Sequence, residues 1–194
     1  KIYVLIGVLM IGIIADSATG IVNIDRLRNA ANDLHDKGFG PAEQTLLFHK
    51  NLYKLRGDIY KLLLLPEEGE KIRGDLKTDL QKIDTTLQRL EAMKAELADS
   101  IQIKIASTHA AVTVYEAAVS EIEVKSKSGD LEFGKASMKS GEAHLARKKV
   151  DAEAEALLRL VESEVVEVDA RTTSIGNQGF RVLVVTSLFL LAVG

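Results

Sequence analysis

Apolar residues recur through the middle of the chain at spacings of three and four, the period that lays a stripe along one helix face. From Pro41 to Leu65 the stripe is Phe48, Leu52, Leu55, Ile59, Leu62 and Leu63. Pro66 and Gly69 then bracket a turn, and Glu67, Glu68 and Glu70 crowd the next helix start, where negative charge meets exposed N–H groups. The following helix carries Ile72, Leu76, Leu80, Ile83, Leu87, Leu90 and Leu97, and Asp99-Ser100 reads as the cap of its successor. Beyond it Ile101, Ile105, Thr108, Val112, Tyr115, Val119 and Ile122 alternate fours and threes, a heptad seam. Lys125 to Asp130 forms a third turn. One last helix is predicted from Leu131 to the end, with Leu145, Ala152, Leu157, Val161, Val165, Val168 and Ile175 facing inward. Short turns near 66–70, 98–100 and 125–131 make neighbouring helices antiparallel. The predicted fold is all-α, an antiparallel up-down-up-down four-helix bundle.

The two ends differ from this middle. Ile2 to Ala15 and Val182 to Val193 carry no charge. Each run is shorter than the roughly 20 residues of a spanning helix, but each sits at an edge of the chain and reads as a truncated span. The expected organisation is a transmembrane helix at 1–19, an extracytoplasmic sensor bundle at 20–180 and a second transmembrane helix at 181–194. That makes a multi-pass protein of an inner or plasma membrane, in contact with lipid, with its bundle periplasmic or extracellular. Gly38-Phe39-Gly40-Pro41 should kink or interrupt the helix that follows the first run. Gly176 and Gly179 should soften the junction with the second, and Arg181 marks its interface. An up-down-up-down order brings the last helix back to the side where the first began, so both apolar runs lie at one end of the bundle.

Composition agrees with long helices: two Pro and no Trp in 194 residues leave few interruptions. A net charge of −3 without a dense Lys/Arg stripe gives no reason to expect a nucleic-acid partner. There is no Cys, hence no disulfide, thiolate or covalent haem. His35, His49, His109 and His144 form no His-x-x-x-His or Glu-x-x-His pair, and no glycine-rich phosphate loop follows a strand. No metal, no cofactor and no catalytic activity are expected. Recognition remains. Tyr53, Arg56 and Tyr60 share one face of the first bundle helix, and Tyr115 can approach from across the bundle. With Lys61 they are candidate ligands for a small polar or anionic solute, because a guanidinium offers a planar fork of donors to a carboxylate. Leu52 and Leu55 already supply the inward stripe, an arrangement that would also let Tyr53 and Arg56 face solvent or a second subunit. The same residues also allow ordinary ion pairs, such as Lys54 with Asp58.

The stretch Asn51 to Leu65, a polar helix with a central Arg56 that runs into aliphatic residues and then an acidic turn, is similar to the end of the first bundle helix of methyl-accepting chemotaxis receptors. Lys125 to Asp130 looks like the loop before that family's last helix. The layout of all 194 residues resembles its four-helix-bundle sensor region. The resemblance implies a homodimer in a bacterial or archaeal membrane. It implies a small solute bound between helices or at the dimer interface, and a cytoplasmic signalling module beyond residue 194. In the aspartate-type branch, arginines of the first bundle helix hold ligand carboxylates. Arg56 and Lys61 lie closest to that pattern, and Leu52 and Gly57 depart from it. Two other readings share the architecture: the input domain of a membrane sensor histidine kinase, and a structural or interaction bundle without a small ligand.

Overall fold

The computed structural model describes residues 2–193, with the side chains of 2–9, 11–12, 15–16, 183 and 186–193 outside the described set. Every regular element among the described residues is helical: α1 (Ile2–Asp33), a π-helical turn (Leu34–Phe39), α2 (Gly40–Leu64), α3 (Gly69–Met93), α4 (Asp99–Lys127), α5 (Leu131–Ser140) and α6 (Glu142–Val193). Single 3₁₀ turns, Pro66–Glu68 and Lys94–Glu96, close the ends of α2 and α3. The chain divides into two compact units, Phe39–Ser163 and the two flanking portions up to Gly38 and from Glu164.

Phe39–Ser163 is the bundle. The predicted inward stripes of α2 and α4 are buried at every position, and that of α3 at all but the half-buried Leu80. Cross-helix contacts run antiparallel: a methyl group built on Gly134 would lie 2.4 Å from Leu63 Cδ2, Arg56 meets Asp151 and His49 Nε2 lies 3.0 Å from the Ala154 carbonyl. Pro41 sits in the first turn of α2, where its missing N–H has no partner to lose. The Gly38 to Pro41 segment therefore does not interrupt the helix; Leu34–Phe39 widens into a π turn instead, with one extra residue per hydrogen-bonded ring. At the third turn Gly129 takes φ +84°, a left-handed conformation that glycine adopts without steric cost. Asp130 caps α5 by accepting a hydrogen bond from the Phe133 N–H.

Two expectations fail in the bundle. The helix beginning at Leu131 is not continuous: Gly141 adopts φ −87°, ψ −155° and separates α5 from α6. Buried Ser137 bridges the break, its Oγ accepting from the Ala143 N–H. The break resets the helical phase, so Leu145 is 64% exposed and Ala152 exposed, while Ala143, Ala146, Val150, Ala154, Leu157 and Val161 fill the core. Asp99 is also not the cap of α4. Ala98 holds that place without a side-chain bond, and Asp99 lies in the first turn, where its charge still favours the helix N-terminus.

The flanking unit pairs α1 with the distal part of α6. Gly38 faces Val165, Gly176 faces Leu27 and Gly179 faces Asn23, and the Thr172 hydroxyl reaches the Ala30 carbonyl at 3.3 Å. Partner numbers fall as others rise, so the pairing is antiparallel. Small residues at these contacts let the two backbones approach. Among the described residues no helix is long and apolar enough to cross a membrane. The expected spans at 1–19 and 181–194 fall largely on side chains outside the described set.

Candidate functional site

Arg56 lies on α2 beside the apolar stripe, one residue from buried Leu55. That position turns its guanidinium along the seam with α6 rather than into water. It packs over the Tyr53 ring at 5.2 Å from the centroid, and Nη2 donates to Asp151 Oδ1 at 2.5 Å. The Arg56 side chain is 20% exposed and that of Asp151 42%. Its Nε is buried without a partner.

Tyr115 is a seam residue of α4 and only 2% exposed. Its hydroxyl too is buried and unpartnered. Burial pushes the phenol up to about 12, against the opposing pull of Arg56 and Arg147; Asp151 and Tyr60 also act on it. Those four side chains, carried by α2 and α6, lie near enough for their charge to act on the Tyr115 phenol. Arg147 stands one turn before Asp151, with its own Nε buried and unpartnered and Nη2 3.4 Å from His144 Nδ1. An orphaned buried donor costs about 1–3 kcal/mol. Two of the three orphaned donors belong to guanidinium groups that act electrostatically on the residue carrying the third.

Of the sequence candidates, Arg56, Tyr60 and Tyr115 are brought together, and Tyr53 supports Arg56 from the solvent side. Tyr60 also lines a cavity of about 330 Å³ with Leu63, Met138 and Lys139. Lys61 is turned elsewhere, roughly 140° round the helix from Arg56. It donates to Asp58 Oδ1 at 2.7 Å. Asp58 belongs to a buried acidic pair with Asp79; Lys54 donates to both Asp79 oxygens at 2.7 and 2.8 Å and to Asp58 Oδ2 at 3.4 Å. Burial works to raise the Asp58 carboxyl, but hydrogen bonds with Lys61, Asp79 and Lys54 outweigh it and hold the group below its usual range. This network fastens α2 to α3. The open groove above it, about 550 Å³ and lined by Lys50, Lys54, Lys82 and Arg89, thus has two cations, Lys54 and Lys82, committed to ion pairs with Asp79.

Arg147 and Asp151 were missed by sequence reasoning. They are four apart with opposite charges, a pattern that reads as a local helix pair. Only the α2–α6 packing reveals that Asp151 reaches Arg56.

Comparison with curated proteins and with solved structures gives no match. The family model described as a four helix bundle sensory module for signal transduction matches residues 1–175. The antiparallel bundle and the matched span agree with the resemblance drawn from the sequence, and the chain belongs to the family of four-helix-bundle sensory modules for signal transduction.

Proposed function

We propose that this chain is the ligand-sensing region of a chemotaxis receptor. It reads a small anionic solute between α2, α4 and α6 and transmits binding across a membrane to a cytoplasmic signalling module beyond residue 194. On this reading the two apolar ends are membrane spans, the bundle is extracytoplasmic, the receptor is a homodimer, and the chain itself catalyses nothing. The observation that carries the proposal is the set of buried donors without partners, Arg56 Nε on α2, Arg147 Nε on α6 and Tyr115 OH on α4, with both guanidinium groups near enough to act on the Tyr115 phenol. A carboxylate supplies the acceptors they lack, and charge-assisted bonds to a guanidinium are the stronger kind. Tyr53 and Tyr60 complete the wall. Family membership supports the signalling role. Continuity supports the route, because α6 carries Arg147 and Asp151 and extends to Val193.

The test is titration of the full chain in lipid nanodiscs with small carboxylates, read by calorimetry. Arg56→Ala should weaken binding by about 30-fold or more, since removing one partner of a buried charged pair costs about 2–5 kcal/mol. Helicity should be unchanged. Unaltered affinity in Arg56→Ala would remove the site from this position.

A further inference from the structure

The Arg56 guanidinium is only half used. The side of the fork made by Nε and Nη2 is the one a carboxylate grips with two parallel bonds. Asp151 takes Nη2 through a single oxygen, Oδ1, while Nε stays buried and empty. A carboxylate approaching in the plane of the guanidinium would take Nε and one hydrogen of Nη2, and its charge would then lie against that of Asp151 on the same nitrogen, so the two carboxylates repel. The two partners also differ in mobility of commitment. Arg56 is stacked over Tyr53 and lies mostly inside, whereas Asp151 has the wetter side chain and can be hydrated at small cost once it leaves. Arg147, one turn before Asp151 and on the same face of α6, keeps an unused buried donor.

We infer that Asp151 is a built-in competitor for the solute: in the resting protein it occupies Arg56 in place of the ligand carboxylate, and ligand binding exchanges it for Arg147 as the α6 contact. This rests on the anion site proposed above. The exchange breaks a direct α2–α6 tie and re-forms one through the ligand on the preceding turn of α6. Occupancy is thereby converted into a change of contact on the helix that runs to Val193. No covalent step is involved, and the Tyr115 hydroxyl, held protonated by burial, donates to the incoming anion.

The experiment is a double-mutant cycle on the full chain in nanodiscs, titrated with sodium formate and with sodium succinate. Asp151→Asn should raise affinity for the binding carboxylate by about tenfold in the native background. It should have little effect in the Arg56→Ala background, where no fork remains to contest; that non-additivity is the signature of direct coupling. Glu155→Gln, one turn further along and paired with Arg159, changes net charge equally and should shift affinity by less than about twofold, given the screening of exposed charges. Equal gains from Asp151→Asn and Glu155→Gln would reduce the effect to general charge and overturn the inference. Carboxylate binding that requires Arg56 but ignores Asp151→Asn would overturn it too, leaving the anion site intact. Absence of binding by native protein and Asp151→Asn alike would overturn both.

Discussion

Tyr115 carries a conflict that one atom creates. Its ring completes the α4 seam, and its hydroxyl has no partner there. Removing that oxygen relieves an unsatisfied group, so Tyr115→Phe should raise stability by about 1 kcal/mol. It should also weaken carboxylate binding several-fold; thermal melts and titration of one variant read both effects, and a destabilised Tyr115→Phe would mean that the hydroxyl is already satisfied. The neighbouring Glu116 sets a pH dependence. Burial first, then the Asp84 charge and a hydrogen bond with Asp84, raise its carboxyl from 4.5 to about 7. Between those values the folded chain holds a proton that the unfolded chain has released, so stability falls as pH rises through the window. The loss expected for this half-buried group is on the order of 1–2 kcal/mol between pH 5 and 8. Denaturant titrations at both pH values should show it, and Glu116→Gln should flatten the slope. Asp58 and Glu153, whose carboxyls are held low, act with the opposite sign: their contribution is present above the ordinary carboxylate range and is lost only as pH falls through the lowered values.

Among the elements, the α5–α6 junction has a geometry that rests on a single residue. A methyl group built on Gly141 would come 2.8 Å from the Ser137 Cα, a backbone atom that cannot swing aside. Gly141→Ala should therefore cost about 1–3 kcal/mol despite alanine's higher helix propensity. Ser137→Ala, which strips the acceptor from the Ala143 N–H, should cost about 1 kcal/mol, as for a lost N-cap. Chemical denaturation measures both, and a neutral Gly141→Ala would show that the break is not fixed by this contact. The same junction explains what the sequence could express. The α4 seam was legible because its inward positions are mostly β-branched or aromatic and its outward ones mostly small or polar. The inner face of α6 was not, because alanines occupy it: their burial lets helices approach but leaves almost no hydrophobic period, and exposed Leu145 points the pattern the wrong way. The site divides likewise. Arg56 and Tyr115 stood out as a cation and an aromatic on or beside apolar stripes. Asp151 acquires its meaning only from a residue 95 positions away.

At the scale of the whole molecule, the proposed homodimer makes a demand on α1. In the flanking unit Asn23, Ala30 and Gly38 face α6, spaced by seven and eight as one seam of a helix. On the outer surface Ile21 and Ile24 remain exposed. Apolar residues on an exposed helix surface suit a second helix or a lipid environment, and membrane anchoring would raise the effective concentration of the second copy. The chain has no native cysteine, so single cysteines introduced along residues 23–37 report without background. Oxidative crosslinking in membranes should rise and fall with a period near 3.6 residues. Its maxima should lie on the exposed positions, starting at Ile24, and its minima at Asn23 and Ala30, which α6 covers. A flat, low profile at every position would argue against a dimer along α1. Maxima at Asn23 and Ala30 would mean instead that the second copy displaces α6 from this seam, and the antiparallel pairing within one chain would have to be abandoned.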